Sequence, residues 1–305
     1  MVETRSDTKL VATGRVVVGV DGSARNLSAV DWAIRDALLQ HRPLHLLAVA
    51  HIGADAVYTT FAVEETEDLL TQIKKRAVEF DMNGQVTMEV RFGSPADELM
   101  KAQHPDDLLV LGRRGVGQLH RGLFGSTSSA MVERSRRPVV VVPNRWREDT
   151  AAVRSVVAAC DGTEHDTAVL DLAFREASAR GLRVVAVEAV DLLGLRGLAP
   201  FELERVSREA RMRLREKVRH WELQLPEVTT FCWAPATRAA VAIGDASLDA
   251  GLVVLGRSAA VNHLLPGVSL TYQVLSRVQR PIAVAPAPLP DPTDHLIDDD
   301  DAPEF

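Results

Sequence analysis

A glycine-rich loop that leads into hydroxyl residues carries the most specific chemistry in this sequence. Two glycines, nine intervening residues and a third glycine precede the hydroxyl side chains: Gly112, Gly115, Gly125, Ser126 and Thr127. Glycine lets a backbone approach a ligand closely, and the free N–H groups at a helix start bind anions. The loop therefore predicts a phosphate site at a helix N-terminus, to which Arg113, Arg114 and Arg121 would add positive charge.

A carboxylate follows the first apolar run, residues 16–20, in the turn Asp21-Gly22-Ser23. The loop lacks the lysine of a Walker A motif after Gly125, and the turn is one glycine short of a dinucleotide fingerprint. No carboxylate or histidine stands at a spacing that would obviously position an attacking water. The sequence thus predicts ligand binding and assigns no catalytic residue and no metal-ligating residue.

The chain repeats itself with a period of about 140 residues. Residues 16–23 return as residues 156–163, and residues 108–113 return as residues 252–257. Because one period spans a whole domain, the sequence predicts a tandem duplication. We place the first copy at residues 15–145 and the second at residues 153–287.

Each copy alternates strand-like and helix-like segments. Continuously apolar runs such as 108–111 and 139–142 are typical of parallel strands buried on both faces. In the first copy we predict strands at 15–21, 44–50, 85–92, 108–112 and 139–142, and helices near 27–40, 64–80, 96–102 and 127–134. In the second we predict strands near 155–160, 183–189, 228–233, 252–255 and 282–285. The prediction is an α/β fold of two tandem doubly wound five-stranded parallel sheets.

In such sheets ligands lie outside the carboxyl ends of the strands, where neighbouring crossovers go to opposite faces. If the first and fourth strands are neighbours, the Asp21 turn and the glycine loop meet at that point. The last strand of each copy would be a sheet edge, which favours pairing with another strand.

The negative charge of the chain lies in its last fifteen residues. Of the 42 acidic residues, seven are there: Asp291, Asp294, Asp298, Asp299, Asp300, Asp301 and Glu304. The 35 that are left match the 35 basic residues, so the body is neutral, which argues against bulk nucleic-acid binding. We expect residues 288–305 to form an acidic disordered tail.

Cellular location is read from what the sequence lacks. No apolar run approaches the ~18 residues of a membrane span, and no secretory leader precedes the first strand. The two cysteines, Cys160 and Cys232, cannot form a disulfide framework and are expected to be buried and unpaired. We expect a cytoplasmic protein without membrane or nucleic-acid partners.

The glycine loop, together with residues 18–23, resembles the universal stress protein family over roughly residues 15–286. The resemblance implies an ATP cleft, Mg²⁺ beside the phosphates, and adenine nucleotide alpha hydrolase-like sheets with strand order 3-2-1-4-5. Asp21 would contact the adenosine end, with Gly19 on the same strand, and Val49 would meet adenine. The loop residues would hold ribose and phosphates. In relatives the last strands meet across a dimer axis, so we expect the two copies to pair within this chain.

The second copy departs from the pattern. Asp161 and Gly256 are retained and Ser269 opens the last helix, but Ala259 replaces Gly115 and Val268 stands opposite Gly125. A valine resists the close approach and the positive φ expected of that glycine. We expect nucleotide in the first copy and a damaged phosphate cradle in the second, whose binding stays open.

The resemblance implies a nucleotide-linked regulator of the stress response, with at most weak ATP hydrolysis. One alternative is a slow ATP hydrolase. The other is a scaffold that binds no nucleotide and acts through dimer surfaces. Beyond the adenine nucleotide, the expected partners are a second copy of the chain or a regulatory protein.

Two further patterns have plain structural explanations. His120 and His263 show no metal-ligand spacing. The arginine-rich stretch 201–224 has one apolar face and alternating charges elsewhere, which favours a solvated, salt-bridged helix over an RNA site.

Overall fold

A computed structural model describes residues 14–21, 23, 26–50, 56–80, 82, 85–113, 125–147, 152–190, 199–257 and 269–286. The first copy consists of β1 (Val16–Val20), α1 (Leu27–Leu39), β2 (Leu44–Ala50), α2 (Ala56–Glu79), β3 (Val86–Phe92), α3 (Pro95–Ala102), β4 (Leu108–Gly112), α4 (Ser126–Arg134) and β5 (Val139–Val142). The second consists of β6 (Ser155–Cys160), α5 (Asp166–Arg180), β7 (Arg183–Glu188), α6 (Pro200–Gln224), β8 (Thr230–Trp233), α7 (Ala239–Ala246), β9 (Ala250–Gly256), α8 (Leu270–Arg277) and β10 (Ile282–Ala285).

One ten-stranded sheet runs through both copies in the order β3-β2-β1-β4-β5-β10-β9-β6-β7-β8. The strands within each half are parallel, and each half has the predicted order 3-2-1-4-5. The halves join through β5 and β10, which are antiparallel, with Val141 opposite Ile282. The predicted pairing of the two last strands is therefore confirmed, and it covers an edge that each copy would otherwise expose.

Helices cover both faces of the sheet, which explains the continuous apolar runs. On one face α1, α2, α5 and α6 pack against alternate strand residues, with Ile34, Phe174 and Leu214 in that layer. On the other face α3, α4, α7 and α8 build a second layer. Each fully buried side chain of this size contributes ~1.5–3 kcal/mol by leaving water. None of the described helices is long and apolar enough to cross a membrane.

The predicted boundaries hold closely for the strands and less well for the second helix. The ranges predicted for β2, β4 and β5 are those observed, whereas α2 begins at Ala56, eight residues before the predicted start at 64. Residues 56–63 are rich in β-branched and aromatic types, which have weak helix propensity, and the fold overrides that preference.

Candidate functional site

The carboxyl ends of β1 and β4 form the point where the chain reverses its direction of winding. β1 lies between β2 and β4, and Val18 pairs with Val110, which puts Val20 level with Gly112. The helix that leaves β1 packs on one face of the sheet, and the helix that enters β4 packs on the other. Ligands of open α/β sheets bind in the crevice at such a point.

Asp21 directly follows β1 and is exposed at this edge. Its Oδ1 accepts hydrogen bonds from the Ser23 backbone N–H at 3.0 Å and the Ser23 hydroxyl at 2.8 Å. The turn therefore fixes the carboxylate through one oxygen. Within the described part of the chain Oδ2 has no hydrogen bond, so this atom can accept from a ligand hydroxyl.

Asn26 ties the start of α1 to β1. Its Nδ2 donates to the carbonyl of Gly19 at 3.0 Å, and the residue is buried. Its Oδ1 is also buried and has no hydrogen-bond partner among the described residues. A neutral amide thus stands beneath the Asp21 turn.

Gly19 has a packing role that the sequence analysis did not assign to it. A Cβ at this position would lie 2.6 Å from Leu111 Cδ2, so the glycine allows β4 and α3 to pack closely against β1. Val49 is half-buried near the end of β2, and the pairing of Val20 with Ala48 puts it beside Asp21. Val49 is therefore at the predicted edge of the sheet.

The two ends of the glycine loop lie next to each other. The Gly125 N–H donates to the carbonyl of Arg113 at 3.0 Å, and the Ser128 hydroxyl donates to the carbonyl of buried Gly112 at 2.7 Å. These bonds hold the first turn of α4 against the end of β4. Gly115, Arg114 and Arg121, together with Ala259, Gly267, Val268, His120 and His263, lie outside the described residues.

The start of α4 has the features of an anion site. Its N-cap is Gly125, which has no side chain to accept the first N–H groups, and Ser129 N–H is bonded to the Gly125 carbonyl. The N–H groups of Ser126 and Thr127 precede the first intrahelical bond and point toward the cap. The expected positive φ at Gly125 is wrong, because φ is −70° and ψ is 149°. The argument against valine therefore rests on close approach alone.

Arg113 makes a contact with the second copy that the sequence analysis did not predict. Its Nη2 donates at 2.5 Å to the carbonyl of Val278, which ends α8 of the other copy. In the second copy Arg257 does the reciprocal: its Nη1 donates at 2.9 Å to the carbonyls of Glu133 and Ser135 at the end of α4. That guanidinium nitrogen of Arg113 thus contacts the other copy. The shared position of Arg113 and Arg257 in the repeat was the available signal.

The second copy has the same aspartate turn, but a different side chain lies beneath it. Asp161 Oδ1 accepts from the N–H and the hydroxyl of Thr163 at 3.0 and 2.5 Å. At the position of Asn26 stands Asp166, a buried carboxylate that accepts the N–H groups of Asp161 and Gly162. Lys217 of α6 donates to Asp166 Oδ2 at 2.5 Å. An ion pair between a buried carboxylate and a partly exposed lysine has replaced the neutral amide of the first copy.

Glu188 adds further negative charge at this edge. It ends β7, pairs with Cys160 and occupies the position of Ala48 in the first copy. Burial raises the pKa of Glu188, against the opposing effect of Arg213 at 3.3 Å. Arg213 and the pairs Arg205–Glu209, Arg208–Glu204 and Arg219–Glu216 lie on the solvated, salt-bridged face predicted for residues 201–224. Lys217 is less exposed and reaches the buried Asp166.

The last helix of the second copy caps itself. Ser269 is the N-cap of α8, and its hydroxyl oxygen accepts the Tyr272 N–H at 3.4 Å. That oxygen satisfies an N–H that a phosphate would otherwise take, in contrast to Gly125 at α4. Gly256 is held by packing, since a Cβ there would lie 3.3 Å from Val169 Cγ2.

The cysteines are buried and unpaired, as predicted. Cys160 on β6 and Cys232 on β8 are separated by β7, and burial raises the pKa of the Cys160 thiol well above its ordinary value. Among the described residues there is no group of three or more His, Cys, Asp or Glu side chains placed to hold a metal ion.

Comparisons with known proteins agree with this architecture. The universal stress protein family matches residues 13–143. A universal stress protein of Mycobacterium tuberculosis is 32% identical over 294 residues, covering 88% of this chain and 96% of the relative. One of Mycolicibacterium smegmatis is 31% identical over 259 residues, 79% of this chain and 86% of the relative. The crystal structure of a universal stress protein from Archaeoglobus fulgidus, 15% identical, superposes with a TM-score of 0.65 over 89% of this chain and 98% of its own.

Proposed function

The chain belongs to the universal stress protein family, which acts in the stress response, and we propose that it is a regulator that binds ATP in its first copy. The observation that carries the proposal is the convergence of Asp21, Gly112 and the uncapped start of α4 at one reversal point of the sheet. This carboxylate and this helix start suit a ligand that carries a hydroxylated sugar and several phosphates.

Each group has a defined part in the proposed complex. Asp21 Oδ2 would accept a ribose hydroxyl, because Oδ1 is already bonded to Ser23. Val49 would offer an apolar surface to adenine. The N–H groups and hydroxyls of Ser126 and Thr127 would bind phosphate oxygens at the helix start. The exposed Ser126 hydroxyl is also an oxygen ligand of the type that Mg²⁺ prefers, so a magnesium–nucleotide complex suits this donor set.

One helix start does not account for tight binding by itself. A charge at a helix terminus gains about 0.3–2 kcal/mol, whereas a micromolar complex needs about 8 kcal/mol. The proposal therefore requires the Asp21 turn, the adenine surface and the phosphate loop to act together. Removal of any one of these three parts should weaken ATP binding measurably.

The second copy is proposed to bind nucleotide much more weakly. Ser269 caps α8 with its own hydroxyl, so one of the N–H groups that a phosphate would take is already bonded. The substitution of Val268 for the glycine of the first copy resists the close approach of a phosphate to the backbone.

The test is a calorimetric titration of the purified full chain with Mg–ATP. The Asp21→Ala variant should lose tenfold or more in affinity, whereas Asp161→Ala, its counterpart in the second copy, should leave the titration unchanged. A titration without heat for the unaltered chain would favour the scaffold function. Sustained multiple-turnover hydrolysis that Asp21→Ala abolishes would make the protein an ATP hydrolase.

A further inference from the structure

A hollow of about 290 Å³ lies where the two copies meet, away from the proposed nucleotide cleft. We call it the junction hollow; its aromatic and basic lining residues are Trp32, Trp146, Arg35, Arg147, Arg180 and Arg280. α1 of the first copy forms one wall. The N-terminal ends of β6 and β9 form the other, at Val153, Ala250 and Gly251. Asp21, Gly112 and Ser126 do not line it.

Positive charge exceeds negative charge in this lining. Asp36 is the one acidic residue among the described lining side chains, and it is paired with Arg180. Arg280 donates to the carbonyl oxygen of Leu248 at 2.5 Å, a neutral partner that leaves its charge uncompensated. Arg147 is exposed and has no ion pair within the described part of the chain. The hollow therefore attracts an anion.

Two indoles give the hollow flat apolar walls. Trp32 is buried, and the Arg180 guanidinium lies over its ring at 5.5 Å from the centroid. Trp146 is half-buried and packs against the main apolar layer. Its segment is held on α1, because the Ser28 hydroxyl donates to the carbonyl of Asn144 at 3.0 Å. Trp146 is thus a positioned surface on which a planar ring can stack.

The hollow has a way in. A second, more open space of about 740 Å³ adjoins it and shares Arg35, Trp146 and Arg147 with it. The lining of this second space includes two exposed arginines, Arg145 and Arg147, and the one carboxylate among its described lining residues, Asp31, is paired with Arg76.

We propose that the junction hollow binds an aromatic monophosphate, with its ring on Trp146 and its phosphate on Arg147 and Arg280. A guanidinium fork matches phosphate oxygens, and a dianion uses more than one uncompensated arginine. The cavity has the volume for one ring and its phosphate. This site does not depend on the proposed ATP site, from which it differs in every residue named.

The test uses the full chain saturated with Mg–ATP, which keeps the other site occupied. Phenyl phosphate is titrated by calorimetry and by quenching of tryptophan emission. We expect saturable binding that Arg147→Gln weakens about tenfold or more, equivalent to about 1.4 kcal/mol or more. Arg211→Gln, which removes an exposed arginine of α6, should leave the affinity unchanged. The Asp21→Ala variant should also retain it, which separates this proposal from that of ATP binding.

Ligands that carry only the phosphate or only the ring show which of these two groups the site recognises. Inorganic phosphate and benzyl alcohol should each bind at least tenfold more weakly than phenyl phosphate. Equal affinity for inorganic phosphate would mean an adventitious anion only, and equal affinity for benzoate would overturn the phosphate assignment. Unchanged binding in Arg147→Gln would overturn the site itself. That residue is exposed, so its substitution should leave the fold intact.

Discussion

The guanidinium of Arg257 donates a 2.9 Å hydrogen bond to the carbonyl oxygen of Ser135, a residue 122 positions earlier in the other copy. Arg113 makes the reciprocal bond to Val278. Each arginine follows the fourth strand of its own copy and satisfies a carbonyl at the end of the last helix of the other. The interface between the copies is therefore held by matched helix-terminus contacts as well as by the β5–β10 pairing.

Removal of either arginine should loosen this interface. We expect Arg257→Gln to lower the free energy of unfolding by about 1.5–3 kcal/mol, because it removes charged hydrogen bonds to two carbonyls. Urea denaturation measures this, with Arg211→Gln as the control for loss of an exposed arginine. Arg113→Gln should behave like Arg257→Gln. Loss of ATP affinity in Arg113→Gln with unchanged stability would instead place that side chain at the phosphates.

Gly125 should matter for the ligand more than for the fold. Since its φ is −70°, alanine and valine can adopt the backbone without strain. We expect Gly125→Val to lose no more than about 0.5–2 kcal/mol of stability in urea denaturation, because apolar residues are poor N-caps, and to bind ATP about tenfold or more weakly through steric contact. A large fall in stability, or an unchanged affinity in calorimetry, would contradict the account.

Gly19 should show the opposite behaviour. A Cβ there meets Leu111 Cδ2 at 2.6 Å in the packed layer between β4 and α3. We expect Gly19→Ala to cost about 1–3 kcal/mol of stability, the usual effect of overpacking. Thermal denaturation measures the loss. In the double variant Gly19→Ala with Leu111→Ala, the shorter side chain makes room for the new methyl group. The double variant should therefore lose less stability than the sum of the two single losses, and simple additivity would contradict the packing explanation.

The ion pair beneath the second aspartate turn should be costly to break from one side. Lys217→Met leaves the buried Asp166 with its two backbone N–H donors but without its ammonium partner, for an expected loss of about 1–3 kcal/mol. Lys101→Met, which breaks an exposed pair with Glu98, should cost under 1 kcal/mol. Adding Asp166→Asn to Lys217→Met should recover much of the loss. A double-mutant cycle in urea without that recovery would contradict the pairing.

Glu188 should make stability depend on pH. Burial raises its pKa in the folded protein above the ordinary 4.5, so the folded state holds this proton more tightly than the unfolded one. The contribution of Glu188 to stability is then fully present below pH 4.5 and is lost as pH rises through the raised pKa. We expect Glu188→Gln to gain stability relative to the unaltered chain as pH rises to neutrality. Urea midpoints measured across that range should diverge; parallel curves would refute it.

The sequence predicted those parts of the fold that follow from local patterns. Apolar runs located β2, β4 and β5, and the exposed sheet edges together with the family resemblance predicted the pairing of the last strands. The sequence analysis placed the start of α2 too late, because the first residues of this helix have weak helix propensity.

The glycine loop and the aspartate turn of the candidate site could be predicted from the sequence, whereas the partners of its charged side chains could not. The glycines beside Arg113 in the sequence indicate a phosphate loop, but they do not indicate the hydrogen bond that Arg113 makes to a carbonyl 165 residues away. Lys217 reads as a surface residue of an amphipathic helix, although it reaches Asp166. The partners of a long side chain are set by distances in the folded chain, and a single sequence does not contain those distances.

The central claim is that the first copy binds ATP and the second binds it much more weakly, and a count of bound nucleotide tests it most directly. The full chain is saturated with Mg–ATP, freed of excess nucleotide by rapid gel filtration and precipitated with acid, and the released adenine nucleotide is quantified by chromatography. We predict about one nucleotide per chain, and about none for Gly125→Val. About two per chain would show that the second copy also binds, and none for the unaltered chain, with a flat ATP titration, would contradict the proposed function.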